Sequence, residues 1–145
     1  MTGSASTLVQ ASCVALKGRA LMVEGEPGSG KSSLALALID RGAQLIGDDG
    51  VSLHRRGRQI IASPPPNIAG LLEIRGVGLI EFPTAQPTPL ALILALGSKT
   101  ERLPERLATR DILGVQIPVL PFEAGAIAPA LRAEWALRVH GMPLA

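Results

Sequence analysis

Aromatic residues are almost absent from this sequence. It contains no tyrosine, one tryptophan and two phenylalanines among 145 residues, so aromatic residues make up 2% of the chain while hydrophobic residues make up 47%. A hydrophobic core must therefore be built from leucine, isoleucine, valine and alanine. The length suits one domain with a sizeable core. We expect residues 1–145 to form that domain, with a loose start at residues 1–6.

Disulfides, strong net charge and long apolar runs are also missing. Cys13 is the single cysteine, which excludes an internal disulfide and suits the reducing cytoplasm. The formal net charge of +2 is too small to indicate a nucleic acid or an acidic membrane surface as a partner. No signal peptide is visible, and the longest apolar run, residues 89–96, is too short to span a bilayer. We therefore expect a cytoplasmic protein without a nucleic-acid or membrane partner.

One glycine-rich stretch stands out against these absences. Residues 25–32 read Gly-Glu-Pro-Gly-Ser-Gly-Lys-Ser and match the phosphate-binding loop G-x-x-x-x-G-K-[ST] at every position. The apolar run 20–23 precedes the loop as a predicted strand, and residues 32–41 follow it as a predicted helix, which is the context this loop requires. The alternative is an ordinary turn, rich in glycine and proline, before a core helix.

The residue types of this loop suit the binding of a nucleotide. Glycines allow successive backbone N–H groups to point inward, and the helix N-terminus adds partial positive charge at the same place. We expect Lys31 to reach the β- and γ-phosphates and the Ser32 hydroxyl to bind Mg²⁺. The predicted nucleotide-binding residues are Gly25, Glu26, Pro27, Gly28, Ser29, Gly30, Lys31, Ser32 and Ser33.

The remaining pattern predicts an α/β fold with a mixed sheet, hairpins and a C-terminal helix. Two hairpins are expected, one turning at Lys17-Gly18 and one around Arg55-Arg56-Gly57. Residues 97–109 are expected to be a polar loop with one helical turn near 104–107. The predicted strands cover residues 8–16, 20–23, 44–47, 51–54, 58–62, a central buried strand at 90–96, and 116–120 near an edge of the sheet.

The C-terminal helix is predicted over residues 124–139. Ile127, Leu131, Trp135 and Val139 recur at steps of four and therefore share one face of the helix. We call these four residues the apolar stripe. The stripe is expected to pack on the sheet, and a contact surface between copies of the chain is the alternative.

Two adjacent aspartates follow the strand that comes after the loop's helix. A carboxylate at a strand end can hold Mg²⁺ opposite the Ser32 hydroxyl, directly or through water. Asp48 and Asp49 could divide the work, with one at the metal and the other accepting a proton from an attacking hydroxyl. The alternative is a simple Asp-Asp-Gly turn, since Asp-Gly is a common turn pair.

A third candidate pair is Glu73 and Arg75. Alternate residues of a strand point to the same side, so both could face one site. Glu73 could complete a metal shell, and Arg75 could stabilise charge on a transferring phosphoryl group. A surface ion pair is an equally good interpretation of these two residues.

The three motifs, in this order, resemble the catalytic domain of HPr kinase/phosphorylase, a bifunctional bacterial enzyme that acts on a serine of the phosphocarrier protein HPr. The resemblance covers residues 8–80, and residues 72–78, Leu-Glu-Ile-Arg-Gly-Val-Gly, are similar to the family's signature. It implies a phosphate-loop fold related to phosphoenolpyruvate carboxykinase and commonly assembled as a hexamer. It also implies a role in the phosphotransferase system and in the regulation of carbon metabolism.

The resemblance further implies that ATP and Mg²⁺ are the cofactors and that HPr is the protein substrate. Asp48 is then the general base of the kinase reaction and the acid of the reverse phosphorolysis. The implied catalytic residues are Lys31, Asp48 and Arg75, and the implied metal ligands are Ser32, Asp49 and Glu73.

The chain also departs from the family. The resemblance does not include the N-terminal domain of longer members, so we expect the short form found in some Alphaproteobacteria. Gln10 occupies the place of a family histidine, and an amide cannot shuttle a proton near neutral pH. Residues 119–124 lack the family's arginines, which Arg102, Arg106 or Arg110 are candidates to replace. These departures favour a second hypothesis, a nucleotide-sensing regulatory module that binds ATP and a partner but transfers little phosphate.

Overall fold

The structure is a computed structural model that describes residues 6–67 and 70–144. These residues contain the helices α1 (Lys31–Asp40) and α2 (Pro129–His140). Of the expected loose start, only Ser6 lies within the described residues. The strands are β1 (Ser6–Val9), β2 (Ser12–Leu16), β3 (Arg19–Glu24), β4 (Gln44–Gly47), β5 (Val51–Arg56), β6 (Gln59–Ser63), β7 (Leu71–Ile74), β8 (Gly78–Glu81), β9 (Thr88–Leu96), β10 (Ala108–Ile112) and β11 (Val115–Phe122).

A mixed sheet of nine strands has β9 at its centre, as the apolar run 90–96 predicts. On one side, β9 pairs with parallel β3, which continues into antiparallel β2 and β4. On the other side, the start of β9 pairs with antiparallel β6 and its end with parallel β11. β6 leads to β5 and β1, while β11 leads to β10. β7 and β8 form a separate hairpin. The predicted α/β class with a mixed sheet, hairpins and a C-terminal helix is confirmed.

Aliphatic side chains fill the core, and Phe122 is the one aromatic residue that is buried within the described residues. β9 is apolar on both faces because both are covered. Leu92 and Leu94 belong to the cluster that includes the helix residues Leu34 and Leu38, while Ile93 belongs to the cluster that includes the β5 and β6 hairpin. A strand covered on both faces has a continuous apolar sequence rather than an alternating one.

Helix α1 begins and ends at glycines with positive φ. Gly30, with φ of 105°, precedes its first residue, and Gly42, with φ of 107°, follows its last turn. The Gly42 N–H donates to the Ile39 carbonyl and the Ala43 N–H to the Leu38 carbonyl, both at 3.0 Å. This pair of bonds is the Schellman arrangement, and it lies where the helix predicted over residues 32–41 ends.

The predicted hairpins are confirmed, with small shifts of their turns and ends. Lys17 and Gly18 both have positive φ, which a tight two-residue turn between β2 and β3 requires. The second hairpin turns at residues 57–58, because Arg55 and Arg56 remain paired with β6. The single strand predicted over residues 8–16 is two strands, β1 and β2, which pair with different partners.

The prediction for residues 97–109 was partly wrong. No helical turn forms near 104–107, and Ala108 and Thr109 belong to β10, which pairs with β11. β10 therefore takes the edge of the sheet, and β11 lies one strand inside it. The polar sequence of β10, Ala-Thr-Arg-Asp-Ile, hides the strand because four of its five residues are exposed.

The apolar stripe of α2 faces outward, which contradicts its expected packing on the sheet. The four stripe residues are between 41% and 88% exposed. The buried face of α2 consists instead of Ala130, Ala133, Ala136 and Leu137. The small alanine side chains let α2 lie close against the core cluster that includes α1. Beside this contact, Arg41 donates two hydrogen bonds of 2.9 Å to Glu134. Periodicity identifies an apolar face, but it does not identify what covers that face.

The orientation of α2 predicts opposite responses of its two faces to mutation. Ala133→Leu places a large side chain where the structure leaves no space, so we expect the free energy of unfolding to fall by about 1–3 kcal/mol. Val139→Ala, on the exposed face, should change it by less than about 0.5 kcal/mol. Urea unfolding followed by circular dichroism of the dilute protein measures both. A larger loss for Val139→Ala than for Ala133→Leu would contradict the observed orientation.

Candidate active site

The phosphate-binding loop joins the end of β3 to the start of α1, as predicted. At Gly25 an added Cβ would lie 2.5 Å from Ser29 Oγ and 3.0 Å from Leu96 Cβ, so this position has no room for a side chain. The Ser29 N–H donates to the Glu26 carbonyl at 3.0 Å, which closes the turn. The loop therefore has the tight curl that directs backbone N–H groups toward an anion.

Two polar groups of the loop have unusual surroundings. The Lys31 ammonium donates to the backbone carbonyls of Gly25 at 2.6 Å and Glu26 at 3.0 Å. Among the described residues, Ser29 Oγ is the one buried side-chain oxygen or nitrogen without a hydrogen-bond partner. Buried polar groups nearly always have partners. An unpaired hydroxyl inside the loop fits a site that receives a polar ligand.

Asp48 is the most highly connected side chain near the loop. Its Oδ1 accepts a hydrogen bond from Ser32 Oγ at 2.6 Å and lies 3.2 Å from Ser12 Oγ. Its Oδ2 accepts from the Glu73 N–H at 3.1 Å, and its own carbonyl accepts from Ser12 Oγ at 2.8 Å. The carboxylate thus contacts the start of α1, the strand β2 and the hairpin of β7 and β8.

A cavity of about 510 Å³ brings the three sequence motifs together. The loop, the two aspartates and the hairpin of β7 and β8 each contribute residues to its lining. Gly25, Glu26 and Ser29 are the predicted site residues that do not line it. The lining residues are Pro27, Gly28, Gly30, Lys31, Ser32, Ser33, Asp48, Asp49, Leu71, Glu73, Arg75 and Leu79.

Glu73 and Arg75 both line this cavity, which favours the predicted shared site over a surface ion pair. The two residues were expected to face one site as alternate residues of a strand. Instead, β7 ends at Ile74, and Arg75 lies in the turn that follows. Leu71 and Leu79 also line the cavity, although neither was predicted to be a site residue. Leu71 could have been predicted to face the site, because it lies two residues before Glu73 on the same strand.

The oxygen donors of the cavity are chemically suited to Mg²⁺. The Ser32 hydroxyl and the carboxylates of Asp49 and Glu73 all line it. The described residues contain no group of three or more histidine, cysteine, aspartate or glutamate side chains that could hold a metal by themselves. Mg²⁺ at nucleotide sites is commonly bound by one or two carboxylates together with water and substrate phosphates. The donor set therefore fits this ion.

Arg102, Arg106 and Arg110, the candidates to replace the family's late arginines, do not line the cavity. Among the described residues, Arg75 is the one arginine that lines it. Arg110 instead binds Glu24, with Nη2 donating to Oε2 at 2.7 Å, and this hydrogen bond raises the pKa of Arg110. Arg102 and Arg106 line other cavities, near α2 and near β10. The sequence proposal that one of these residues replaces the late arginines receives no support from their positions.

Cys13 is fully buried, and burial raises the pKa of its thiol. Cys13 is a small residue of the hydrophobic core. Gln10 is exposed between β1 and β2 and does not line the cavity. Neither described helix is long and apolar enough to cross a membrane.

Comparison with known proteins identifies the family of this chain. The sequence profile of the HPr Serine kinase C-terminal domain matches residues 3–126. HPr kinase/phosphorylase from Bordetella pertussis is 37% identical over 122 residues, which are 75% of this chain and 40% of the relative. HPr kinase/phosphorylase from Verminephrobacter eiseniae is 39% identical over 114 residues, 69% of this chain and 36% of the relative. This chain therefore matches about two fifths of the length of these curated relatives.

A solved structure gives the same result for the fold. The Hpr(Ser) kinase/phosphatase from Coxiella burnetii superposes with a TM-score of 0.78 at 31% sequence identity, over 92% of this chain and 95% of that chain. Since the family profile covers most of the described residues, including the loop, both aspartates and the hairpin of β7 and β8, the chain belongs to the HPr serine kinase C-terminal domain family.

Proposed function

We propose that this chain is an ATP-dependent serine kinase that phosphorylates HPr in the cytoplasm and acts through one kinase domain, residues 1–145. The observation that carries the proposal is the meeting of the loop, Asp48 and Arg75 in one cavity, in a chain of this family. Regulation of carbon metabolism is the role that the family resemblance implies for such an activity.

In the proposed reaction the loop N–H groups and Lys31 hold the phosphates of ATP. Lys31 exchanges its bonds to the loop carbonyls for bonds to phosphate oxygens, which are stronger acceptors because they are charged. Ser32, Asp49 and Glu73 would hold Mg²⁺. When bound, this ion neutralises charge on the phosphates and orients them. Catalysis of this kind depends mainly on positioning and electrostatic stabilisation.

Asp48 is the proposed general base. The HPr serine oxygen forms a bond to the γ-phosphorus, the bond from that phosphorus to the oxygen bridging to the β-phosphate breaks, and the serine proton passes to the Asp48 carboxylate. Arg75, which also lines the cavity, stabilises the negative charge of the phosphoryl group during transfer. In the reverse phosphorolysis, inorganic phosphate takes the phosphoryl group and Asp48 returns the proton.

The two aspartates should respond differently to the same change. With γ-labelled ATP, Mg²⁺ and HPr from the same organism, Asp48→Asn should lower the rate of phosphoserine formation at least about 100-fold, because an amide cannot accept the proton. Asp49→Asn, its matched control, should chiefly raise the Mg²⁺ concentration that is needed. Equal losses in both variants at saturating Mg²⁺ would contradict this division of roles. A wild-type chain that binds ATP tightly but transfers nothing would favour the nucleotide-sensing module.

Nucleotide affinity tests the role of Lys31 separately from phosphate transfer. Lys31→Met removes charge-assisted hydrogen bonds to the phosphates, so we expect the Kd for ATP, measured by isothermal titration calorimetry, to rise at least about tenfold. Lys99→Met is the matched control, because Lys99 is exposed in the loop before β10. Equal affinities of the two variants would refute the proposed role of Lys31.

We also propose that the chain self-associates through the apolar stripe of α2, and the resemblance implies a hexamer. Leu131, Trp135 and Val139 are exposed on one face of α2, and Ile127 is exposed just before the helix begins at Pro129. This exposure supports the proposal, since apolar patches commonly mark interfaces. Trp135 is 52% exposed and lies 4.8 Å beneath the Arg138 guanidinium, a pairing frequent at contact surfaces.

Changing the stripe should change the oligomeric state without unfolding the chain. Trp135→Glu introduces a charge at the centre of the stripe, and we expect analytical ultracentrifugation to report a smaller species than for the wild type. Leu8→Glu is the control, because Leu8 is 64% exposed but lies on the edge strand β1. A monomeric wild type, or an unchanged assembly in Trp135→Glu, would disprove the role of the stripe.

A further inference from the structure

Ser12 is a polar residue in an apolar strand. Its side chain is fully buried in β2, and Thr88 is the one other buried polar residue within the described part of the chain. The Thr88 hydroxyl is satisfied locally by the carbonyl of Gln86, two residues away. Ser12 instead reaches Asp48, 36 residues away in sequence. A buried hydroxyl that spans two strands in this way has more than a local role.

The geometry connects Ser12 to both parts of Asp48. Ser12 Oγ lies 2.8 Å from the Asp48 carbonyl oxygen and 3.2 Å from Oδ1 of its carboxylate. The sheet sets this position, because Cys13 pairs with Gly47, the residue immediately before Asp48, next to a register shift in β2. The single proton of this hydroxyl is therefore shared between two acceptors of one residue, with the shorter contact to the backbone carbonyl and the longer one to the carboxylate.

The other partners of Asp48 have further tasks in the proposed reaction. Ser32, which donates to Oδ1, is a proposed Mg²⁺ ligand, and the Glu73 N–H, which donates to Oδ2, belongs to a hairpin whose side chains face the cavity. Ser12 is buried, lies outside the cavity lining and has no such task. Its bond is also shielded from competing water, which strengthens it.

We propose that Ser12 is a positioning residue that fixes the Asp48 carboxylate for proton transfer. The inference rests on the proposed function, in which Asp48 is the base. Removing the hydroxyl leaves a buried carbonyl with one partner fewer and frees the carboxylate to turn. The loss of this hydroxyl should slow catalysis but leave nucleotide binding unchanged, because the Ser12 side chain makes no hydrogen bond to the phosphate-binding loop within the described residues.

Three variants test this role through kinetics. Ser12→Ala should lower kcat for HPr phosphorylation at least about tenfold while the KM and Kd for ATP change less than about twofold. Ser12→Thr retains the hydroxyl and should recover most of the lost kcat. Cys13→Ala truncates the neighbouring buried residue, whose side chain makes no hydrogen bond to Asp48 within the described residues, and should stay within about twofold of wild-type kcat. Melting temperatures verify that each variant is folded.

A second measurement does not depend on kinase activity. If Ser12 fixes Asp48, the Glu73 N–H loses its ordered acceptor in Ser12→Ala, so NMR hydrogen exchange at this amide should be severalfold faster while the amides of β9 are unchanged. Cys13→Ala should leave the Glu73 amide as in the wild type. Unchanged exchange in Ser12→Ala would overturn the inference, as would unchanged kcat in an active enzyme. If the wild type transfers no phosphate, the proposed function fails, and hydrogen exchange still decides whether Ser12 positions Asp48.

Discussion

The arrangement of the site depends on hydrogen bonds to a single carboxylate. The Asp48 carboxylate accepts hydrogen bonds from Ser32 at the start of α1 and from the backbone N–H of Glu73, on a hairpin outside the main sheet. Ser12 of β2 donates to the Asp48 carbonyl and to its carboxylate. Three segments that are distant in sequence thereby meet at one residue. Each bond is charge-assisted or buried, and such bonds are stronger than neutral ones exposed to water. Without them, the hairpin that carries Glu73 and Arg75 would lose its polar connection to the rest of the site.

The central strands explain why the phosphate-binding loop occurs where it does. β3 and β9 run parallel, and β3 ends at Glu24, directly before the loop. Loops that leave the carboxyl ends of parallel strands gather at one edge of a sheet, which is where α/β folds usually bind ligands. The hydrogen bond from the Ser29 N–H to the Glu26 carbonyl then closes the turn of the loop, which has no room for a side chain at Gly25.

Much of this could be predicted from the sequence because the informative signals are local. The loop 25–32 has a fixed spacing, the strand at 90–96 is continuously apolar, and Gly42 ends a helix by a backbone rule. The failures concern partners that are distant in sequence. The stripe has the period of a buried face, yet three alanines and Leu137 of α2 pack inward instead. Ser12 gave no signal, since a serine in an apolar strand does not reveal that it faces an aspartate 36 residues later.

The position of Lys31 has a consequence for ligand choice. Because two of the three N–H groups of its ammonium already donate to carbonyls of its own loop, an anion that binds this ammonium through several N–H groups must replace interactions that are present. A ligand with one weakly charged group gains little from that exchange, whereas a chain of phosphates offers several charged oxygens at once. If the chain binds ATP as proposed, this exchange would favour polyphosphates over singly charged metabolites.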